Sequence, residues 1–177
     1  MIHEAELIER LKDMRTREKA FTQLVREYQE PIYWQIRRMV NSHDDADDIL
    51  QNTFMRAWSA IDNFRGDAKL STWLFRIATN ATLTFLDQQK SALSIDDINN
   101  TVGLHLQSES YFDGDEAQLQ LQQAVNSLPP KQRAIFNMKY FQEMKYEEIS
   151  QVMGTSIGAL KASYHHAVKK ITDYFNL

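Results

Sequence analysis

The chain of 177 residues contains no cysteine, and this absence excludes several kinds of site at once. Disulfides, thiolate zinc fingers, iron–sulfur clusters and cysteine nucleophiles all require a thiol. Glycine and proline are scarce, at 5 and 3 residues, which excludes a collagen-like or proline-rich scaffold. With 43% hydrophobic and 25% charged residues, the composition predicts an ordinary globular protein.

Long apolar runs are also missing, as are the usual signatures of catalysis. No run approaches the roughly 18–20 apolar residues of a membrane-spanning helix, and residues 1–6 lack the layout of a signal peptide. We therefore expect a cytoplasmic protein with no membrane insertion of its own. There is no Gly-rich phosphate loop, and His165 and His166, being adjacent, point to different sides of a helix. No catalytic residue, metal or cofactor is expected.

The net charge of −4 is unevenly distributed along the chain. Residues 1–90 carry 13 basic and 14 acidic side chains, whereas residues 117–177 carry 7 basic and 4 acidic ones, a net of +3. Residues 91–116 contain six acidic side chains and no Lys or Arg. This stretch has many Ser, Asn and Asp residues and no sustained apolar period. We therefore expect a flexible acidic linker at 91–116 between domains at 1–90 and 117–177.

Both modules show the apolar periodicity of helices, and no segment alternates as a strand does. The expected helices cover about residues 5–28, 31–40, 44–61, 71–87, 119–128, 130–141, 146–153 and 156–175. Pro31 suits the first turn of a helix, Asp44 and Asp45 suit the start of the next, and Ser71 is a plausible N-cap. The predicted fold class is all-α, with two small helical domains.

The last two helices, with Gly154 between them, are the parts of a helix-turn-helix. One side of the final helix is apolar and expected to be buried: Ile157, Leu160, Tyr164, Val168, Ile171 and Phe175. The other side and its flanks are small, polar or basic: Ala159, Lys161, Ala162, Ser163, His165, His166, Lys169 and Lys170. Small side chains let a helix enter the major groove, where Lys and His reach phosphates and base edges. This pattern favours DNA binding, and a solvated helix face is the alternative.

Two further surfaces lie in the first module. In the helix at 44–61, the polar side opposite the apolar arc carries Asp48, Gln51, Asn52 and Met55. An exposed Met in a polar stripe is typical of protein contacts, although a solvated face explains the pattern equally well.

The loop and helix that follow this helix mix basic, aromatic and hydroxyl residues, which suits unstacked bases. The alternative is that Phe64 and Trp73 are core residues that fix the loop.

These motifs together resemble the extracytoplasmic-function (ECF) group of bacterial sigma factors. Residues 45–58 (DADDILQNTFMRAW), 64–67 (FRGD) and 71–80 (STWLFRIATN) are similar to their region 2. Residues 128–133 (LPPKQR), 146–149 (YEEI) and 158–165 (GALKASYH) are similar to their region 4. The resemblance covers about residues 15–90 and 117–175. It implies a sigma factor that directs core RNA polymerase to specific promoters. The residues also allow two other interpretations: a helix-turn-helix regulator that never binds polymerase, and a helical protein-interaction module.

The resemblance also implies roles for particular residues. Contact with core polymerase, at the β′ clamp helices, is expected from Asp48, Gln51, Asn52, Met55 and Arg56. Capture and melting of −10 promoter DNA is expected from Phe64, Arg65, Lys69, Ser71, Thr72, Arg76, Thr79 and Asn80. Recognition of −35 DNA is expected from Thr155, Ser156, Lys161, Ser163, His165, His166, Lys169 and Lys170. The implied partners are core polymerase, including the β flap, promoter DNA and an anti-sigma factor, with nucleoid association in the holoenzyme.

Some positions depart from the family pattern. Asn52 stands where the family usually has Glu, and residues 86–90 replace a commonly Arg-rich run. Ser163, His166 and Val168 occupy positions that often hold Arg. With fewer cations facing DNA, we expect weak binding of the free protein to DNA and a shallow dependence on salt.

Overall fold

The computed structural model describes residues 4–40, 42–92 and 116–176, and within them all regular structure is helical. The eight α-helices of these ranges are α1 (Glu4–Lys12), α2 (Arg17–Arg37), α3 (His43–Ala60), α4 (Leu70–Ala92), α5 (Glu116–Asn126), α6 (Pro130–Tyr140), α7 (Tyr146–Met153) and α8 (Ile157–Phe175). A 3₁₀ turn at Ile61–Asn63 follows α3. The all-α prediction is confirmed. We call α1–α4 the N-terminal module and α5–α8 the C-terminal module.

The helix α2 is longer than the sequence indicates, because it runs unbroken through Pro31. The prediction that a new helix begins at Pro31 is therefore wrong. Proline lacks the N–H that would bond one turn back, and this normally ends or kinks a helix. Here Leu24 and Ile36, on either side of the proline, are both fully buried. Packing of the flanking turns outweighs the lost hydrogen bond.

The starts of α3 and α4 are fixed by side chains that satisfy free backbone N–H groups. Ser42 caps α3, since its hydroxyl accepts from the Asp45 backbone N–H at 3.3 Å. The helix α4 begins at Leu70, so Ser71 lies inside it and is not its N-cap. Instead, the Glu4 carboxylate accepts from the Leu70 N–H at 2.8 Å, and α1 thereby caps a helix 66 positions further along the chain.

The main hydrophobic core extends across both modules. It contains buried residues from all four N-terminal helices, and from the C-terminal module it includes Ala134, Met138, Ile149, Val152 and Leu160. In addition, α4 contacts α6 and α7, and α2 contacts α6. A second, smaller core lies within the C-terminal module: Ala124, Val125, Leu128, Phe136, Ala167 and Ile171. The two modules thus pack against each other through apolar side chains.

Polar contacts reinforce the packing between the modules. The Arg133 guanidinium, on α6, donates to the Met39 carbonyl oxygen at 2.8 Å. Gln142 Nε2 donates to the Pro31 carbonyl at 3.3 Å. The Arg38 guanidinium lies 4.2 Å from the ring centroid of Phe141, within the range of a cation–π interaction. The C-terminal module is therefore anchored to the second half of α2.

The expected linker is shorter at both ends than the charge pattern indicates. Ser91 and Ala92 complete α4, and Glu116 begins α5, so these three residues are helical. The rest of the predicted linker, residues 93–115, lies outside the described residues. Among the helices of the described ranges, none combines the length and hydropathy needed to cross a bilayer.

Candidate functional site

The polar stripe on α3 is exposed as the sequence predicts. Asp48, Gln51, Asn52 and Met55 all face solvent, and the Met55 side chain is 66% exposed. Asn52 Oδ1 accepts a hydrogen bond from Arg56 Nε at 2.8 Å, so the stripe residue Asn52 is bonded to a side chain one turn further along α3. The stripe is a contiguous surface with one large apolar side chain in the middle.

Beside the stripe, α2 and α3 form an apolar groove of about 820 Å³. Its floor includes Phe21 and Val25 of α2 together with Phe54, while Met55 and Trp58 stand at its edge. The Phe21 and Trp58 rings meet edge to face, with centroids 5.0 Å apart. Phe21, Val25 and Trp58 are not among the residues predicted for this surface from the sequence. Trp58 could have been found, because it lies three residues after Met55 on the same helix face.

The surface formed by the 63–69 loop and α4 differs from the prediction. Arg65, Lys69, Arg76 and Asn80 are exposed, and Ser71 is half-buried. Three predicted contacts are buried: Phe64 is 5% exposed, Thr72 is 2% and Thr79 is 0%. The Phe64 ring packs 5.1 Å from that of Trp73, which holds the loop against the core. In this arrangement of the modules these three side chains do not face solvent, and their contact with −10 DNA stays a prediction.

Lys69, in this loop, is paired with the C-terminal module. Its ammonium donates to the Glu148 carboxylate on α7 at 2.7 Å. This hydrogen bond raises the pKa of Lys69. The pKa of Glu148 is lowered, first by Lys69 and then by the Lys145 backbone N–H, which donates to the same carboxylate. Both groups are therefore charged at neutral pH.

The third surface is the exposed side of α8. Ser156 is the N-cap, and its hydroxyl accepts from the Ala159 N–H at 3.3 Å. Thr155 is half-buried in the turn, and Ser163 is half-buried on α8. The basic and imidazole side chains predicted for this surface are all exposed: Lys161, His165, His166, Lys169 and Lys170. A row of cations and rings thus follows the outer side of the helix.

The buried side of α8 was only partly predicted. Leu160 and Ile171 are buried, as expected, but Val168 is 39% exposed and Phe175 is 47% exposed. Ala167 is fully buried instead, within the smaller core. The helical wheel placed Val168 correctly relative to its apolar neighbours, but no element covers that edge of the helix within the described part of the chain.

The turn between α7 and α8 depends on Gly154, which has a φ of +63°. In this left-handed conformation its N–H bonds back to the Ser150 carbonyl and ends α7. A Cβ at this position would meet no atom within 4 Å. Only the backbone conformation, and no steric contact, therefore selects glycine here. The turn sets the angle between the two helices of the helix-turn-helix.

No metal site emerges in the described parts of the chain, where His, Asp and Glu side chains form no group of three or more suited to bind an ion. The described residues therefore offer three surfaces for binding: an apolar groove beside a polar stripe, an exposed basic loop, and a basic helix face. Each of these can bind a macromolecule.

Both modules match known protein families. Residues 24–92 match Sigma-70 region 2, and residues 118–171 match Sigma-70, region 4. The ECF RNA polymerase sigma factor SigW of Bacillus subtilis is 34% identical over 156 residues, which cover 82% of this chain and 83% of that protein. The RNA polymerase sigma-H factor of Pseudomonas aeruginosa is 30% identical over 176 residues, covering 94% and 90% of the two chains.

Solved structures share the fold. The sigma factor RpoE of Bartonella quintana, in complex with the anti-sigma factor NepR, superposes with a TM-score of 0.68 at 22% identity over 90% of this chain and 98% of that one. CnrH, in complex with the cytosolic domain of CnrY, also gives 0.68 at 21% identity, over 98% and 94% of the two chains.

Proposed function

The chain belongs to the sigma-70 family as an RNA polymerase sigma factor of the ECF group, and on that premise we propose which step of promoter recognition each of its surfaces performs. The observation that carries the proposal is the α2–α3 groove with its bordering stripe. A protein-binding surface here distinguishes a polymerase subunit from a regulator that binds DNA alone.

The stripe and groove dock on the clamp helices of the polymerase β′ subunit. Met55 and Trp58 supply apolar area at the edge of the groove, and Asp48 and Arg56 supply charge around it. Burial of a Met side chain on docking contributes about 1.5–3 kcal/mol. Aromatic side chains at the centre of such a contact, surrounded by polar groups, are the usual anchors of a protein interface.

The 63–69 loop and α4 capture the melted −10 strand. Arg65, Arg76 and Asn80 are accessible for contacts with phosphates and bases. Lys69 becomes available when its pair with Glu148 opens. Thr72 and Thr79 reach DNA only after the packing around α4 has changed, because both are buried.

The exposed side of α8 reads the −35 element in the major groove. Ala159 and Ala162 let the backbone approach the bases, while Lys161, Lys169 and Lys170 lie within reach of phosphates. Neither module carries enough cations to bind DNA tightly by itself. Core polymerase holds both modules at the correct spacing, so that two weak contacts combine into one specific contact.

The sigma factor catalyses no reaction itself and acts in the cytoplasm, on the nucleoid when it is in the holoenzyme. The domain that ends with α4 serves core binding and −10 recognition, and the domain that begins with α5 serves −35 recognition and the β flap, with the linker at 93–115 between them. An anti-sigma factor inhibits it by covering the groove on α3 or the α8 face. The proposal is supported by the structure of the sigma factor RpoE of Bartonella quintana, which shares the fold and was solved in complex with the anti-sigma factor NepR.

A reconstituted run-off assay tests the function. Transcription starts are mapped after forced expression, and the recovered promoters are transcribed with core polymerase and the purified protein. Promoter-dependent transcripts are expected, and their absence with the cognate core would contradict the proposal.

The contribution of the groove is tested with Met55→Asp, which removes the apolar contact and adds a charge. The loss of about 1.5–3 kcal/mol of burial predicts core binding weaker by about 10- to 150-fold, with unchanged folding because Met55 is exposed. Met14→Asp is the matched control, since Met14 is 77% exposed and lies outside the groove. Equal affinities of the two variants for core polymerase would remove Met55 from the interface.

A further inference from the structure

The loop at 63–69, to which the proposed function assigns part of −10 recognition, is mostly exposed. Phe64 is buried, Ala68 is half-buried, and the other five residues face solvent. An exposed loop with so little packing of its own keeps one conformation only when its ends are held. Its ends are the 3₁₀ turn at Ile61–Asn63 and the first residue of α4, Leu70. The contacts at these two points therefore decide how the loop is presented to DNA.

Glu4 holds the end of the loop. Lys69, the residue before α4, has no side-chain acceptor, and the first turn of α4 contains no acidic residue. The helix thus has neither a cap from the preceding residue nor a negative charge to complement its dipole. Glu4 supplies both, because its carboxylate accepts from the Leu70 N–H at 2.8 Å. The same carboxylate lies close to Lys69, since it adds to the larger effect of Glu148 in raising the pKa of that lysine.

Arg17, the first residue of α2, holds the beginning of the loop. Its guanidinium donates to both carboxylate oxygens of Asp62 in the 3₁₀ turn, with Nη1 at 3.2 Å from Oδ2. Arg17 Nε also donates to the Leu11 carbonyl, near the end of α1, at 2.8 Å. The Arg17 side chain is 12% exposed and Asp62 is 65% exposed, so the arginine is the fixed member of the pair. One guanidinium thus connects the end of α1 to the turn that begins the loop.

Glu4 and Arg17 belong to one rigid unit. The helix α1 packs into the main core through two buried side chains, Leu7 and Leu11. The Thr16 hydroxyl donates to a carbonyl in the last turn of α1 at 2.8 Å, which fixes the turn into α2. Both ends of the loop are therefore held by residues 4–17. All of these residues precede residue 24, where the match to Sigma-70 region 2 begins.

We propose that residues 4–17 form a brace that positions the 63–69 loop for capture of the −10 strand, with Glu4 and Arg17 as its positioning residues. The inference rests on the proposed function of the loop. Glu4 determines where α4 begins and Arg17 determines where the 3₁₀ turn lies, so that the exposed Arg65 between them has a defined position. Both contacts lie within the N-terminal module, and they persist when Lys69 separates from Glu148.

The test removes each contact separately in the full chain. Glu4→Ala removes the acceptor, Glu4→Gln keeps an oxygen acceptor without the charge, and Glu6→Ala is the matched control, since Glu6 is an exposed acid in the same turn of α1. At the other end, Asp62→Ala removes the partner of Arg17. Its control is Glu30→Ala, on the exposed side of α2. Because Asp62 is mostly exposed, its replacement leaves the fold intact.

Binding is measured with holoenzyme assembled from core polymerase and each variant, on a forked DNA whose single-stranded part carries the −10 element from the mapped starts. Glu4→Ala should bind this DNA about 3- to 10-fold more weakly, as expected for loss of a helix cap. Asp62→Ala should bind it about 2- to 5-fold more weakly, and both variants should discriminate less against a fork with a changed −10 element. Glu4→Gln should lose less than Glu4→Ala, and the two controls should match the unsubstituted protein. The affinity of every variant for core polymerase should be unchanged.

Amide hydrogen exchange of the free chain reports the brace whether or not the chain directs transcription. Glu4→Ala should speed exchange at 63–72 and leave α3 unchanged. Unchanged exchange at 63–72 overturns the proposal. So does an equal loss of −10 binding and core affinity, which indicates a general loss of stability, and so does faster exchange without weaker binding in a holoenzyme that does bind the fork. Faster exchange in a protein whose unsubstituted holoenzyme binds no −10 fork contradicts the proposed function alone.

Discussion

Replacement of Arg133 tests the account of how the modules are held together. Three carbonyl oxygens accept from its guanidinium: Met39 in the N-terminal module at 2.8 Å, Leu128 at 3.2 Å, and Asn126. Burial lowers the pKa of Arg133 to about 10, which leaves the side chain charged at neutral pH. One side chain thus links the segment just after α2 to the last residue of α5 and to the turn that follows it.

Arg133→Met keeps most of the volume and removes all the donors. A carbonyl that loses its partner in a partly buried site costs about 1–3 kcal/mol. Taking the low end for each of the three acceptors, because water can reach parts of the turn, gives a loss of about 3 kcal/mol. In a chain of this size, each kcal/mol lowers the Tm by roughly 2–4 °C, so a decrease of about 6–12 °C is expected.

The assay is urea denaturation followed by circular dichroism, with thermal melting as a second measure. Arg133→Lys, which retains the charge but not the planar set of donors, should lose about half as much. Arg26→Met is the matched control on the exposed side of α2 and should stay within about 0.5 kcal/mol of the unsubstituted protein. A loss below 1 kcal/mol for Arg133→Met would refute the reasoning, because the three bonds would then contribute almost nothing.

Further substitutions test the turn, the ion pair and the shared core. Gly154→Ala should cost about 1 kcal/mol through its φ of +63°, whereas Gly158→Ala, in α8 with open space around it, should stabilise by up to about 1 kcal/mol; denaturation midpoints check the opposite signs. The lowered pKa of Glu148 means that its stabilisation is full above the ordinary value of 4.5 and is lost progressively as the pH falls below it; Glu148→Gln should therefore be less stable at pH 7, and the difference should shrink as the pH is lowered below 4.5. Leu160→Ala, fully buried in the shared core, should cost about 2–5 kcal/mol, measured in the same way.

The stripe on α3 could be predicted because this helix is buried on one side only. Ala46, Ile49, Thr53 and Ala57 repeat at helical spacing and are all buried, so the opposite side had to be exposed. The helix-turn-helix was predictable for a related reason. Its turn needs a residue that tolerates a left-handed conformation, and Gly154 is placed between two segments of helical period.

The −10 surface could not be predicted in the same way, because the buried part of α4 is broader than its apolar side. A single period marks the apolar side that faces the N-terminal module, at Leu74 and Ala81. Thr72 and Thr79 look like solvent-facing residues in the sequence, yet both are buried. Long-range polar contacts are equally invisible, since nothing near Leu70 in the sequence indicates that Glu4 caps it.

The charge distribution and the packing of the two modules both leave the free chain with few cations for binding DNA. The positive excess lies at 117–177, yet that module contributes Glu148, which neutralises Lys69 in the loop next to α4. A chain with a net charge of −4 already gains little from non-specific contact with DNA, and the Lys69–Glu148 pair leaves one cation fewer for such contact. On the proposed function, core polymerase compensates for this weakness by holding both modules at the promoter spacing. We therefore expect weak DNA binding by the free sigma factor, which would keep the subunit from occupying promoters without the enzyme.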